Sequence, residues 1–382
     1  MSTEKKKLLF IVEAMGGGVF TYIVELANEL VSKYDVYVAY ALRKQTPADY
    51  SKYFDERVHL IKVENFKRSI DIKSDIKAFL EIRRIAKDIN PDIIHLHSSK
   101  AGALGRMAFN GRKVPVFYTP HGYSFLMKHH SSTKRLIYKI IETVCGKRRC
   151  TTISCSEGEH KETLKINKRA TYVDNGINVS ELQEYIEKTQ VNKDTNSEKQ
   201  FTVFTLGRIC EQKNPALFNE IALKLPDIKF LWIGDGDLRD ELSAPNIEIT
   251  GWMSRREALN RALSEDVFVL TSLWEGLPIA LLESMYMKKL CIVSNIIGNQ
   301  DVISTGRNGF LCENANDFVK YIENAKMGKY SILIDNAYAD VINKYNTQVM
   351  ARRYSEIYVK SLDIVEKANI RSIYTSIGRV EE

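Results

Sequence analysis

Unbroken apolar and β-branched runs alternate along this chain with stretches in which apolar residues recur every three or four positions. The runs at 7–13, 35–42, 58–63, 92–97, 114–119 and 151–156 fill the first half, and those at 201–206, 229–233, 247–250, 267–271 and 290–294 the second. Such runs suit strands buried on both faces. Between them, helical spacing appears at Tyr22, Leu26, Ala27 and Leu30, and at Ile72, Ile76, Phe79, Leu80 and Ile85 before the stop signal Asn90-Pro91. It returns at Ile279, Leu282 and Met285, where Pro278 is expected as the first helical residue, and at Met350, Tyr354, Ile357 and Tyr358. Strands alternating with helices in both halves predict an α/β protein of two Rossmann-like domains.

Residues 189–200 are polar and lack aromatics, so the boundary is expected there or slightly before. The expected organisation is a first domain over 1–190, a second over 200–345, a last helix over 346–367 and a tail over 368–382. A length of 382 residues allows two cores of ordinary size, and 44% apolar with 27% charged residues is a soluble composition. No apolar run reaches the length of a membrane span, and Met-Ser-Thr-Glu-Lys-Lys-Lys leads straight into a strand. A cytoplasmic protein is expected, without a transmembrane segment. The six cysteines form no Cys-x-x-Cys pair, and Cys145, Cys150 and Cys155 fit no zinc spacing, so buried free thiols are expected.

Charge changes the picture more than composition does. The net charge is +7, and residues 1–190 hold about 32 Lys and Arg against 22 Asp and Glu, so all of the excess lies in the first half. It is densest over 100–169, which points to an anionic partner on that half.

Polar residues gather where the apolar runs end. After the first run comes Met15-Gly16-Gly17-Gly18, whose backbone N–H groups can approach a phosphate with no Cβ in the way. The G-x-G-x-x-G pattern is missing, which disfavours a dinucleotide. Later runs deliver His95-Leu96-His97-Ser98-Ser99-Lys100 and Pro120-His121-Gly122-Tyr123. In the second half, Gly207-Arg208 leads to Lys213-Asn214-Pro215, where a guanidinium and an ammonium together can neutralise a diphosphate. The run at 267–271 leads to Trp274-Glu275-Gly276-Leu277-Pro278, and Glu283 follows inside the next helix. That helix start offers N–H groups and its positive dipole end to an anion. Asp235 and Asp237 beside glycines make a turn formula rather than a metal site, and no metal ligand set is expected.

The Glu-x7-Glu pair Glu275 and Glu283, with the Gly207–Pro215 turn, resembles the retaining glycosyltransferases of family 4, which have the GT-B fold of two Rossmann-like domains facing a cleft. The resemblance covers roughly 7–365 and includes the turn Asn175-Gly176-Ile177-Asn178 and Asn308-Gly309-Phe310-Leu311. It implies that the last helix crosses back to the first domain. It implies further that Arg208, Lys213, Gly276 and Leu277 meet the donor diphosphate, that Glu283 holds the ribose, and that Glu275 and His121 act near the transferred sugar. Gly16, Gly17 and Gly18 correspond to the family's glycine turn. Asn214 and Asn299 stand where the family usually has glycine, while Asp301 matches. The implied reaction moves a sugar from a nucleotide diphosphate, UDP first, to a hydroxyl of a glycan or polyprenyl-diphosphate-linked sugar, without metal. A UDP-sugar 2-epimerase of the same fold and a non-catalytic nucleotide-binding protein are the alternatives.

Lys and Arg are interleaved with apolar residues in Tyr123-Ser124-Phe125-Leu126-Met127-Lys128 and Lys134-Arg135-Leu136-Ile137-Tyr138-Lys139. That mixture suits a segment lying on an anionic membrane surface at the inner face of the cell membrane. No nucleic-acid motif accompanies the charge.

Overall fold

Every apolar run becomes a strand of one of two parallel sheets in the computed structural model, which describes residues 4–43, 45–67, 71–127, 131–190 and 200–377. The first sheet is made of β1 (Lys6–Met15), β2 (Tyr34–Leu42), β3 (His59–Lys62), β4 (Ile93–His97), β5 (Val116–Thr119), β6 (Thr151–Ser154) and β7 (Ala170–Tyr172). Its order is β3-β2-β1-β4-β5-β6-β7. The crossovers are α1 (Gly17–Leu30), α2 (Ile72–Ile89), α3 (Ser99–Ala108), α4 (Ser132–Gly146) and α5 (Glu157–Leu164). After α6 (Val179–Gln190), the second sheet uses β8 (Thr202–Leu206), β9 (Lys229–Ile233), β10 (Ile247–Ile249), β11 (Val267–Leu270), β12 (Leu290–Ser294) and β13 (Phe310–Cys312). Its order is β10-β9-β8-β11-β12-β13. Its helices are α7 (Pro215–Lys224), α8 (Arg255–Leu263), α9 (Ile279–Tyr286), α10 (Ala315–Lys326) and α11 (Ser331–Asn343), and α12 (Thr347–Ile377) closes the chain.

Both sheets reverse their direction of growth once, between β1 and β4 and between β8 and β11. At such a switch point adjacent crossovers leave to opposite faces and open a crevice at the carboxyl ends of the strands. The glycine turn follows β1 and His97 ends β4; Arg208 follows β8 and Glu275 follows β11. These residues therefore lie at the switch point of their half, while His121 follows β5, one strand further along.

By contacts the chain forms one unit from Met1–Phe125, Ser132–Val173 and Gln348–Glu382, and a second from Leu126–Ser131 and Asp174–Thr347. The division thus falls at Val173/Asp174, ahead of the composition change at 189–200, and 191–199 lie outside the described residues. The reason is packing. Ile177 exchanges backbone hydrogen bonds with Tyr345 and Thr347, and Glu181 of α6 pairs with Arg255 of α8, so the chain joins the second core before its polar stretch begins. The last helix does return to the first unit. Tyr354 and Tyr358 of α12 are fully buried there, with Tyr22 Oη donating to Tyr354 Oη at 2.5 Å and the Tyr358 hydroxyl 2.6 Å from His95 Nδ1. α12 runs on to Ile377, beyond the expected end at 367.

Three expectations about helix faces need correction. Pro278 is the N-cap of α9, with ψ of 121° in the extended region, so Glu283 lies one turn into the helix instead of a turn and a half. In α2 the apolar positions that signalled the helix are largely its outer face. Ile72 is 75% exposed and Ile76 and Leu80 are also exposed, while Ser74, Ala78, Ile82, Ala86 and Ile89 pack inward. Finally, Tyr123 and Phe125 are core residues rather than surface ones, stacked at 4.8 Å, with the Tyr123 hydroxyl on Thr163.

Candidate active site

In the second unit, the turn after β8 is shaped by two residues that leave the ordinary backbone regions. Gly207 has φ of 145°, and Asn214 lies in the left-handed region at φ 51°. Asparagine is among the few residues with a side chain that adopt this conformation readily, because its short amide bonds locally. Here it also caps α7 by accepting from the N–H of Leu217. The Lys213-Asn214 departure therefore preserves the turn. Gly234 and Gly236 press on it from behind, where an added Cβ would stand 2.2 Å from the Gly207 carbonyl oxygen and 2.0 Å from that of Ile209. Asp235 accepts from the N–H of Gly236 and from Arg239, which makes this Asp-x-Asp a structural turn. Among the described residues no His, Cys, Asp or Glu cluster could hold a metal ion.

The turn after β11 meets the turn after β8. Lys213 Nζ donates to Glu275 Oε1 at 2.7 Å, Ser272 Oγ donates to the same oxygen at 2.7 Å, and Gln212 Nε2 reaches Oε2 at 3.2 Å. Arg208 is half-buried and makes no hydrogen bond or ion pair with the described residues, so its five donors are available to an anion. Leu277 is buried, and its carbonyl accepts from Asn175 Nδ2 at 2.8 Å. Gly276 is held by Gly298, whose added Cβ would lie 2.7 Å from the Gly276 carbonyl oxygen. No side chain caps α9; Leu281 N–H donates to the Pro278 carbonyl at 3.2 Å, which leaves the N–H groups of Ile279 and Ala280 at the helix start. Asn299 is buried with its amide on the Ser294 carbonyl, which fixes the end of β12, and Asp301 accepts from the Gly298 N–H. Trp252 is exposed.

Sequence reasoning missed the partner of Glu283. This carboxylate is buried in α9 and accepts from Arg255 Nη2 at 2.8 Å and Nε at 3.2 Å. Arg255 turns its other nitrogen to Glu181 at 2.6 Å, and Tyr185 donates to Glu181 at 2.5 Å. Burial pushes the Glu283 carboxyl up from its ordinary pKa, and Arg255 opposes that shift. The Ser254-x-x-Glu257 capping box that starts α8 was legible and places Arg255 at its first position, but nothing local says which carboxylate it meets.

In the first unit, Gly16 is the N-cap of α1, Gly17 has φ of 57°, and open space surrounds the missing Cβ of both Gly17 and Gly18. No side chain caps α1. His121 also lies in the left-handed region, at φ 56°. Its Nε2 is 3.1 Å from His97 Nδ1, its Nδ1 is 3.5 Å from Cys155 Sγ, and the Tyr22 ring meets it edge-on at 4.6 Å. His95 lies beneath, bonded to Tyr358 and Thr119, and the buried His97 Nε2 has no partner among the described residues. Burial lowers all three imidazoles, His121 to about 3, so they are neutral at neutral pH. His121 is thus a neutral ring with both nitrogens already engaged, not the imidazolium that would offset charge directly. Lys100 is not part of this cluster, since it pairs with Asp75 at 2.6 Å and ties α3 to α2.

Two doubly wound sheets, each with polar groups at its switch point, are the architecture of the GT-B glycosyltransferases, and solved structures agree. Sucrose-phosphate synthase from Thermosynechococcus elongatus superposes with a TM-score of 0.76 at 16% identity, covering 93% of this chain and 99% of that one. Anabaena HepE, in complex with UDP and glucose, gives 0.72 at 14% identity, covering 93% and 100%. Residues 16–181 match Glycosyltransferase Family 4 and residues 186–340 match Glycosyl transferases group 1. The chain is also 32% identical, over 80% of its length and 85% of the relative's, to the Escherichia coli UDP-Gal:alpha-D-GlcNAc-diphosphoundecaprenol alpha-1,3-galactosyltransferase. The chain belongs to the glycosyltransferases built from these two domains, and its chemistry is group transfer.

Proposed function

We propose that this protein is a retaining hexosyltransferase that moves a sugar from a UDP-sugar to a hydroxyl of a polyprenyl-diphosphate-linked sugar in cell-surface polysaccharide synthesis. The observation that carries the reading is the unpaired Arg208 beside the Lys213–Glu275 pair at one switch point, with Glu283 one turn into the following helix. An anion entering there meets a guanidinium, an ammonium and an uncapped helix start. Those groups offset the charge that grows on a departing diphosphate, the main electrostatic demand of this reaction. Lys213 would then divide its donors between phosphate and Glu275, which keeps that carboxylate fixed for the sugar. Glu283 accepts from ribose hydroxyls. His121 would meet the reacting sugar as a neutral ring, exchanging its 3.5 Å contact with Cys155 Sγ for a sugar hydroxyl, and the Gly16–Gly18 turn would approach the ligand through its backbone. Retention rests on the family resemblance and on the α-1,3 product in the E. coli relative's name; the UDP-sugar donor and the lipid-linked acceptor rest on that same name.

Heat protection by a panel of nucleotide sugars, followed by transfer to a synthetic lipid-diphosphate sugar, tests the proposal. The preferred UDP-sugar at about a hundred times its Kd should add about 2.7 kcal/mol of stability. Arg208→Ala and Lys213→Ala should each lower kcat/KM by roughly ten- to a hundredfold, the loss of about 1.5–3 kcal/mol of charge-assisted hydrogen bonding. Transfer should survive a strong chelator, and the UDP-sugar should persist unchanged when acceptor is withheld, which separates transfer from 2-epimerisation. Parental turnover in either variant would remove the diphosphate assignment.

A further inference from the structure

Helix α4 is amphipathic with its apolar side turned outward. Leu136, Ile137, Ile140, Ile141 and Val144 are between 36% and 59% exposed, whereas its buried residues are Glu142, Cys145 and Gly146. At about 100° per residue the five exposed side chains span an arc of roughly 140°, wide enough for a core-facing stripe. The inner face holds a polar device instead. Glu142 accepts from Arg106 of α3 at 2.7 Å and from the Tyr118 hydroxyl at 2.9 Å, and the Arg106 guanidinium stacks on the Tyr118 ring at 4.1 Å. Because α4 is fastened to the first unit through this buried ion pair, its branched aliphatic residues are left to the outside.

The charge around that stripe has one sign. Glu142 is the sole acidic residue of α4, and its partner neutralises it. Lys134 and Lys139 flank the arc on its two sides and both are exposed. At its C-terminal end Gly111 packs on the carbonyl of Arg149, which gathers the exposed Arg112, Lys113, Lys147, Arg148 and Arg149. Met107 of α3, the helix joined to α4 by the Arg106–Glu142 pair, is also exposed.

We infer that α4 is the element that seats this protein on an anionic lipid surface. Five aliphatic side chains enter the headgroup and acyl boundary while the basic rim meets lipid phosphates. Two other occupants fit the surface less well. A second copy would bring the same basic rims together, which is repulsive. A nucleic acid would leave the aliphatic centre against phosphodiesters. The inference narrows the contact from the two segments 123–128 and 134–139 to the outer face of α4, since Tyr123 and Phe125 are core and Lys128 lies outside the described residues. It deepens the proposed function, since a polyprenyl-linked acceptor is reached at such a surface.

Cosedimentation with vesicles of equal parts phosphatidylglycerol and phosphatidylcholine, against phosphatidylcholine alone, provides the test. The parent should bind the anionic vesicles and be released as salt rises. Ile140→Glu with Val144→Glu should weaken binding by roughly tenfold or more, since each lost aliphatic contact forgoes about the burial of one side chain. Lys134→Glu with Lys139→Glu should weaken it and flatten the salt dependence. In Ile140→Trp, tryptophan emission should shift to the blue on binding. All variants should keep parental transfer to a water-soluble acceptor, so loss of docking and loss of transferase chemistry are read separately. Equal sedimentation with both vesicle types, an unshifted emission spectrum of the Ile140→Trp variant with anionic lipid, or a dimer in ultracentrifugation that Ile140→Glu dissolves would each overturn the inference.

Discussion

Glu283 and Arg255 show how one residue's chemistry depends on a partner remote in sequence. A carboxylate with 5% side-chain exposure would resist ionisation, yet the accepting form is the one the proposed ribose contact needs. Arg255 holds that form. In Arg255→Leu the Glu283 pKa should therefore rise further, and UDP affinity should fall near neutrality and recover as pH increases. A carboxyl group whose folded pKa is raised contributes stability that is present below its unfolded pKa and lost as pH climbs through the folded value. The variant removes the group that limits this loss. Its Tm should lie closest to the parent's near pH 5 and fall further below it towards pH 8, with up to about 3 kcal/mol lost from breaking a largely buried pair. A Tm difference independent of pH would show that Arg255 only packs there.

At the scale of elements, α3 shows how closely a helix is set on its sheet. A Cβ on Gly102 would meet ring atoms of Tyr118 at 2.2, 2.6 and 2.8 Å, and one on Gly105 would meet Leu96 at 2.3 Å. Replacing glycine by alanine in a helix normally gains about 1 kcal/mol of propensity. Here the neighbour is a fully buried ring carrying Arg106 on its face and Glu142 on its hydroxyl, so it cannot give way without disturbing the ion pair under α4. Gly102→Ala should lower stability by about 1–3 kcal/mol despite the propensity gain. Urea unfolding measures this, and a stabilised Gly102→Ala would contradict the packing described.

For the molecule as a whole, the buried histidines set an acid limit. His95, His97 and His121 are held neutral by burial, His121 with a pKa of about 3. For an imidazole with a depressed folded pKa, the contribution is fully present above the unfolded value of about 6.5 and is lost as pH falls below it. Tm should therefore decline on acidification from about pH 6.5, and the decline attributable to His121 should continue to about 3. His121→Asn keeps a residue that tolerates the left-handed backbone and should show a shallower decline. Parallel Tm–pH curves for the two proteins would exclude His121 as a source of the effect. The described residues contain no helix long and apolar enough to cross a membrane.

The sequence by itself determined the strands, their alternation with helices and the residues at strand ends, because a strand buried on both faces must be continuously apolar and its polar successors mark where it surfaces. It also placed Arg208 and Lys213 together after one strand, since charge and turn residues lie within one short segment. Direction was another matter. The spacing of Ile72, Ile76 and Leu80 gave the helix but not which side faces in, because periodicity does not distinguish a core stripe from an exposed one. Tertiary structure alone decided that α4 buries an ion pair and exposes its aliphatic side, that Arg255 holds Glu283, that His121 spends both nitrogens on His97 and Cys155, and that α6 packs with the second core. Each of these rests on groups brought together across the fold, whose energies depend on burial and distance that no local pattern records.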